Sequence, residues 1–143
     1  MQINIYGIIL ITAILIPNIV FALKCREGFE NTGISKAILI AEQIGRYGCI
    51  AAMIVIFPIF DAAVPSGAAL SVYLAANIGL LLLYILFWIV FWNKSSQVRA
   101  LALSVTPSVI FLFSGIMTRY ILLIIASLLF APAHIYISCK NTK

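Results

Sequence analysis

The sequence predicts an all-α integral membrane protein, a compact bundle of five transmembrane helices in a single domain. Apolar residues make up 64% of the 143-residue chain and charged residues only 9%. Its apolar runs are long enough to cross the ~30 Å hydrocarbon core of a bilayer. A soluble domain carries about a quarter of its residues as charges, so this chain has too few for a soluble surface. We expect the lipid bilayer around it, as a multi-pass protein of a bacterial plasma membrane.

Each expected span has local features that mark it. The first contains Pro17, which membrane helices tolerate where neighbours satisfy the freed carbonyl. The second ends before Asp61 and the turn formers at 65–67. The third ends with Trp88 and Trp92, as expected for an aromatic belt at the membrane interface. The expected boundaries of the five spans are 4–23, 37–60, 69–92, 100–114 and 120–138.

The last apolar stretch, residues 100–138, is divided between two spans. One helix of that length would be about 58 Å long at ~1.5 Å per residue, which is too long for a single crossing. Polar residues at Ser114-Gly115 and Thr118-Arg119 interrupt the stretch. We therefore predict two helices joined by a tight turn around 115–119, with a four-helix bundle as the alternative.

The distribution of basic residues predicts the orientation. With five spans and the N-terminus outside, the inner segments 24–36, 93–99 and 139–143 hold three, two and two Lys or Arg residues. The outer segments hold only Arg119. Because cytoplasmic loops are enriched in Lys and Arg, the C-terminus is expected in the cytoplasm. Four spans would put the basic tail outside.

Several classes of function are not indicated. The net charge of +5 comes from basic residues that flank apolar runs, which indicates topology and not a nucleic-acid surface. Cys25, Cys49 and Cys139 show no C-x-x-C spacing, and a single histidine does not make a zinc site. The sequence has no Walker phosphate loop, G-x-S-x-G or H-E-x-x-H motif. We therefore expect no metal and no cofactor.

Polar residues inside the spans fall at one depth near the inner, cytoplasmic end. Counted from the inner helix ends, His134 lies about four residues deep, Asn18 about five and Thr106 about six, on the ~20-residue scale of a span. Glu42 and Arg46 belong to the first turns of the second span. The predicted ligand site consists of Asn18, Glu42, Arg46, Tyr47, Thr106 and His134.

Glu42 and Arg46 form the strongest local pattern. They are spaced i,i+4 on one helical face with the acid first, the order that favours an ion pair. A charged residue at the centre of a span costs about 2.5–3.5 kcal/mol on insertion scales, so charges within spans are functional candidates. The alternative is an anchor, in which Arg46 extends to the interface with Glu42 as its partner. His134 has a similar alternative as a hydrogen-bonded packing residue.

Small residues cover one side of the second span and let another helix approach closely. We call this set the small-residue seam; it consists of Ala41, Gly45, Gly48, Cys49 and Ala52. The seam serves either a neighbour in the same chain or a homodimer, and the sequence leaves both open. In the third span, Asn77 is expected to hydrogen-bond to an adjacent helix.

Three functions remain open from the sequence. The first is a transporter or ligand-binding membrane protein for a small polar or anionic molecule, in which Glu42 holds Arg46. A homo-oligomer is expected with it because five spans are few. The second is a structural or regulatory subunit that acts by helix packing. The third is a lipid or isoprenoid enzyme at the cytoplasmic leaflet, with His134 or Glu42 as general base.

Overall fold

The described part of the chain forms five helices and one short antiparallel strand pair. The computed structural model describes residues 1–24 and 33–142. All five helices are long and apolar enough to cross a membrane, which confirms the predicted five-helix bundle and a multi-pass membrane protein. In chain order the elements are β1 (Gln2–Ile3), α1 (Ile5–Lys24), α2 (Lys36–Ile54), β2 (Val55–Ile56), α3 (Gly67–Val90), α4 (Gln97–Met117) and α5 (Ile121–Lys140).

The helices α2, α4 and α5 form the centre of the bundle. The closest packing is between α2 and α5 and between α4 and α5, and α3 covers α4. About half of the residues in the membrane-spanning part of α4 are buried, a larger share than in any other described helix. Helix α1 packs less closely, against α2 and α3. We call the end of the bundle that carries Lys24 and Lys36 the inner end, and the opposite end the outer end.

The second span is shorter than the predicted 37–60, because α2 ends at Ile54. The next two residues leave the helix and pair with β1, with Gln2 opposite Ile56. The backbone N–H of Asn4 also donates to the carbonyl of Ile54 at 2.8 Å. These hydrogen bonds tie the start of α1 to the outer end of α2. Residues 55–60 are as apolar as the end of a membrane helix, so hydropathy alone does not show where α2 stops.

The turn between α4 and α5 is tighter than predicted. Helix α4 continues to Met117, beyond the expected end at Ser114. The chain reverses at Thr118 and at Arg119, which has a φ of 53°, and the N–H of Tyr120 donates to the carbonyl of Gly115 at 2.9 Å. Helices α4 and α5 are therefore joined as an antiparallel pair at the outer end.

The small-residue seam of α2 packs against α5 of the same chain. A Cβ atom built on Gly45 would lie 2.7 Å from the backbone Cα and N of Phe130. A Cβ on Gly48 would lie 3.1 Å from the Ala126 Cβ, and Cys49 is fully buried. At Gly45, only a residue without a side chain lets α5 come this close. The seam therefore packs α2 against α5 of the same chain.

Candidate ligand-binding site

A buried carboxylate joins α2 to α5 near the inner end. Glu42 Oε1 accepts a hydrogen bond from Arg46 Nε at 3.0 Å, and Arg46 Nη2 contacts the same oxygen. His134 Nδ1 lies 3.1 Å from this oxygen, a hydrogen bond that places a proton on Nδ1 when Glu42 is ionised. We call Glu42, Arg46 and His134 the polar cluster. Its members come from two helices, and one oxygen atom connects them.

Packing along the small-residue seam positions the polar cluster. Glu42 precedes Gly45 by about one helical turn, and His134 follows Phe130 by about one turn. Because Gly45 contacts the backbone at Phe130, the two polar side chains meet one turn nearer the inner end. The Phe130 ring stacks on the His134 ring, with centroids 4.5 Å apart and planes 20° apart. The imidazole is therefore held by stacking and by the carboxylate.

The three members of the polar cluster differ in exposure. Glu42 is only 2% exposed, whereas the Arg46 side chain is 41% exposed and that of His134 23%. A buried carboxylate is costly unless it is paired and hydrogen-bonded, and here it has a cation and a ring N–H. Arg46 keeps further N–H donors after pairing, since a guanidinium has five. Arg46 therefore has N–H groups that can still donate to a ligand, whereas the negative charge of Glu42 is buried.

A polar cavity of about 340 Å³ opens beside the polar cluster at the inner end. Arg99, in the first turn of α4, lines it together with Ser95 and Ser96. The Arg99 guanidinium lies 4.4 Å from the ring centroid of Phe21 and donates from Nη1 to the carbonyl of Lys94 at 2.9 Å. We call this space the inner cavity. It has two arginines and one glutamate among its described lining residues, and its volume is in the range of small-molecule sites.

A second space of about 290 Å³ lies deeper, between α1 and the other four helices. We call it the deep cavity. Its walls are mainly aliphatic and aromatic, and the apolar residues include Ile11, Ile14, Leu15, Ile50, Phe111 and Phe130. Asn18, Arg46 and His134 line both the inner and the deep cavity. These three side chains therefore stand at the junction between a polar and an apolar space.

Asn18 connects α1 to α3 at this junction. Its Nδ2 donates to the Tyr84 hydroxyl at 2.7 Å and to the carbonyl of Ile14 at 2.8 Å. Tyr84 is buried and lines the deep cavity. Because α1 packs less closely than the other helices, this contact contributes to holding it against the bundle.

The structure brings four of the six predicted site residues to the cavities and leaves two outside them. Asn18, Glu42, Arg46 and His134 line the inner cavity. Tyr47 is 66% exposed. It lies about 100° around the helix from Arg46, which lines the cavities, and so it faces the lipid side. Thr106 is buried, but its hydroxyl donates to the carbonyl of Ala102 in its own helix at 2.7 Å, and it lines neither cavity.

Two further residues belong to this region and were not among the predicted site residues. The distribution of basic residues predicts Arg99 only as part of an inner loop. In the structure, Ser96 caps α4 three residues earlier and accepts from the Arg99 N–H at 3.2 Å. A serine before an apolar run is the usual sign of a helix start, and it would have placed Arg99 at the inner end of a span. Tyr84 shares a buried face of α3 with Tyr73, Asn77 and Trp88, a pattern that the sequence also shows.

A separate polar contact lies in the outer half of the bundle. Ser114 Oγ of α4 donates to Asn77 Oδ1 of α3 at 3.3 Å, and Asn77 Nδ2 donates to the carbonyl of Tyr73 at 3.0 Å. Both side chains are fully buried. The predicted hydrogen bond from Asn77 to another helix is therefore present.

Among residues 1–24 and 33–142, the His, Cys, Asp and Glu side chains form no group that could hold a metal ion. The chemistry available at the inner end is hydrogen bonding, ion pairing and proton transfer through an imidazole next to a carboxylate. Comparison with protein-family models, with curated proteins and with solved structures finds no match to this chain.

Proposed function

We propose that this chain is a membrane protein that binds a small polar or anionic molecule at the cytoplasmic end of its bundle, as a transporter or as a binding protein. The observation that carries the proposal is the position of Arg46. Its guanidinium is paired with a buried glutamate and lines two cavities at once. An arginine that only anchored the helix at the interface would have no reason to border the deep cavity.

Charge and hydrogen-bond capacity favour an anionic group as the ligand. The guanidinium of Arg46 is held in one orientation by Glu42, which lowers the entropy lost when it binds a second acceptor. Arg99 adds a second guanidinium to the same cavity. Carboxylates and phosphates match the planar donor geometry of arginine better than neutral ligands do.

Transport is supported by how far the two cavities extend. The deep cavity reaches Ile11, Ile50 and Phe111, which lie in the outer halves of α1, α2 and α4. The outer end is closed by packed side chains, among them Tyr73, Asn77, Ser114 and Tyr120. This arrangement corresponds to a state open to the inside, from which alternating access requires the outer contacts to separate.

The test is binding of small anions to the purified full chain in nanodiscs, measured as a shift in Tm. Inorganic phosphate, methyl phosphate and acetate are titrated against wild type, Arg46→Gln and Arg119→Gln. Arg119 is an exposed arginine at the outer end and serves as the matched control. A ligand at 100 times its Kd stabilises the folded state by about 2.7 kcal/mol, which is measurable. We expect the shift in wild type and in Arg119→Gln, and its loss in Arg46→Gln; equal shifts in all three would contradict the proposal.

An enzyme at the cytoplasmic leaflet is the second candidate, favoured by one observation. A carboxylate that accepts from Nδ1 of a histidine orients the ring and leaves Nε2 to exchange a proton with a substrate. Glu42 and His134 have this arrangement beside the inner cavity. If His134→Gln stops the chemical conversion of a bound molecule without weakening its binding, the enzyme is favoured over the transporter.

The other expectations from the sequence have different support. A structural or regulatory subunit would use the small-residue seam to hold a partner, but α5 of the same chain occupies that seam at Gly45 and Gly48. A homo-oligomer is proposed only because five helices are few for a transporter, and mass photometry in nanodiscs tests it. Residence in a bacterial plasma membrane is likewise a proposal, which cell fractionation tests.

A further inference from the structure

We propose that the ligand is an anionic amphiphile, whose phosphate or carboxylate headgroup lies in the inner cavity while its hydrocarbon tail enters the deep cavity. This inference rests on the function proposed above and names the class of ligand. It follows from the contrast between two spaces that share three lining residues. A small hydrophilic anion would use the inner cavity and leave the deep cavity without a role.

The two cavities differ in the chemistry of their walls. The inner cavity carries Glu42, Arg46 and Arg99 among its charged residues and several hydroxyls and amides from the ends of α4 and α5. The deep cavity has Asn18, Arg46, Tyr84 and His134 as its polar lining residues. Asn18, Tyr84 and His134 lie on the inner halves of their helices, and Arg46 lies at the middle of α2. The remaining walls of the deep cavity offer no hydrogen bond from a side chain. A ligand that fills both spaces needs one polar end and one apolar end.

The order of the cavities matches the orientation of a lipid in the cytoplasmic leaflet. The polar space lies at the inner end, where the headgroups are, and the apolar space continues toward the bilayer centre. Arg46 stands between them, where a headgroup meets its tail. The tail of an amphiphile would therefore have the same direction inside the protein as in the membrane.

An apolar groove on the lipid side borders the inner cavity at Trp88. A third space, between α1 and α3, is lined by Pro17, Val20, Ile85, Trp88, Ile89 and Trp92. Ile89 is largely exposed on the lipid-facing surface, whereas Trp88 is buried and also lines the inner cavity. The Trp88 ring thus separates the groove from the inner cavity. Because α1 is the helix with the weakest packing, this boundary is the place where an amphiphile would pass sideways.

The experiment counts bound molecules on the full chain by native mass spectrometry from detergent micelles. The probes are decyl phosphate, decanoate, methyl phosphate and the uncharged decyl maltoside. The variants are Arg46→Gln for the headgroup and Leu15→Trp to fill the deep cavity. Ile16→Trp is the matched control, because Ile16 is the next residue in α1, is 56% exposed and lines none of the three spaces. Size-exclusion profiles and Tm values establish that each variant folds.

We expect one decyl phosphate or decanoate molecule per chain in wild type and in Ile16→Trp. Affinity should fall by about tenfold or more in Arg46→Gln, as for the loss of a hydrogen bond to a charged group. It should fall by a similar factor in Leu15→Trp. If Leu15→Trp does not fold, Leu15→Phe and a series of alkyl phosphates of increasing chain length replace it, with affinity expected to rise with chain length and then to stop rising.

The outcomes separate this inference from the proposed function. If methyl phosphate binds as well as decyl phosphate and filling the deep cavity has no effect, the amphiphile is wrong while an anion-binding site stands. If decyl maltoside binds equally well, the anionic headgroup is wrong. If none of the four probes binds wild type, the inference and the proposed function are both overturned. Comparison of decyl phosphate with decanoate identifies the headgroup.

Discussion

His134 Nδ1 and Glu42 Oε1 lie 3.1 Å apart, although the two residues are separated by 92 positions in the chain. The contact joins α5 to α2 at the inner end of the bundle. The buried carboxylate of Glu42 has two partners. His134 comes from α5, whereas Arg46 lies on the same helix as Glu42. The positions of Arg46 and His134 are therefore not independent, because both depend on one oxygen atom.

The pairing of Glu42 with Arg46 should be visible in a double-mutant cycle. Glu42→Gln and Arg46→Gln should each lower the free energy of unfolding, since each leaves the partner without its counter-charge. The double variant should lose less free energy of unfolding than the sum of the losses in the two single variants. Coupling between contacting residues is about 0.5–3 kcal/mol, and the partial exposure of Arg46 puts this pair near the lower end. Additive effects in denaturant titrations would show that the two side chains do not interact.

Gly45 should tolerate no side chain. In Gly45→Ala the new Cβ would overlap the backbone of Phe130, so α2 and α5 would have to move apart and the polar cluster would open. We expect a loss of about 1–3 kcal/mol, the usual cost of overpacking, together with loss of anion binding. Gly79→Ala is the control, because nothing lies within 4 Å of its added Cβ, and it should stabilise α3 by about 0.5–1 kcal/mol. Equal Tm values for the two variants would contradict the close packing of α2 on α5.

The hydrogen bond from Ser114 to Asn77 should stabilise the outer half of the bundle. Ser114→Ala removes the donor and leaves Asn77 Oδ1 without it, at a cost of about 0.6 kcal/mol as for other hydrogen bonds between membrane helices. Ser71→Ala, at an exposed position in α3, should change stability by less than about 0.5 kcal/mol. Unfolding in mixed micelles compares the two. A larger effect at Ser71 than at Ser114 would show that this contact does not hold the outer end.

The orientation of the bundle can be tested by labelling single cysteines. In a background with Cys25→Ser and Cys139→Ser, we expect a membrane-impermeant maleimide to label Asp61→Cys in intact cells. Ser95→Cys should be labelled only after the cells are permeabilised, because basic segments are expected on the cytoplasmic side. Both positions are in loops, Asp61 at the outer end and Ser95 at the inner end. Labelling of Ser95→Cys in intact cells would reverse the assignment of the two ends.

Hydropathy predicts the helices well, because the thickness of the bilayer fixes how long an apolar run must be. It fails at residues 55–60, where the chain is still apolar but α2 has ended. Past Ile54 the chain pairs Val55–Ile56 with Gln2–Ile3, and Pro58 cannot continue a helix. Hydropathy thus predicts that the helix exists, whereas its end depends on a proline and on a tertiary contact, neither of which hydropathy measures.

For the candidate site, the sequence likewise predicts the depth of each residue in the membrane but not the rotation of its helix. Counting along the spans placed Asn18, Glu42 and His134 at a common depth, and the structure brings them to one cavity. Depth does not tell which side of a helix faces inward. Tyr47 and Thr106 have the right depth, but Tyr47 points to lipid and the Thr106 hydroxyl is used within α4. Rotation of α2 follows from which residues let α5 approach, and Gly45 was the sequence signal for it.

The most direct test of the account is whether Arg46 touches the anion. Solid-state NMR on the full chain with ¹⁵N-labelled arginines measures dipolar coupling between guanidinium nitrogens and the ³¹P of bound decyl phosphate, and Arg46→Lys identifies the signal. We expect a coupling at hydrogen-bond range from Arg46 that disappears in Arg46→Lys and persists in Arg119→Lys. A bound phosphate whose only coupling comes from another arginine, unchanged in Arg46→Lys, would contradict the assignment of this residue to the ligand.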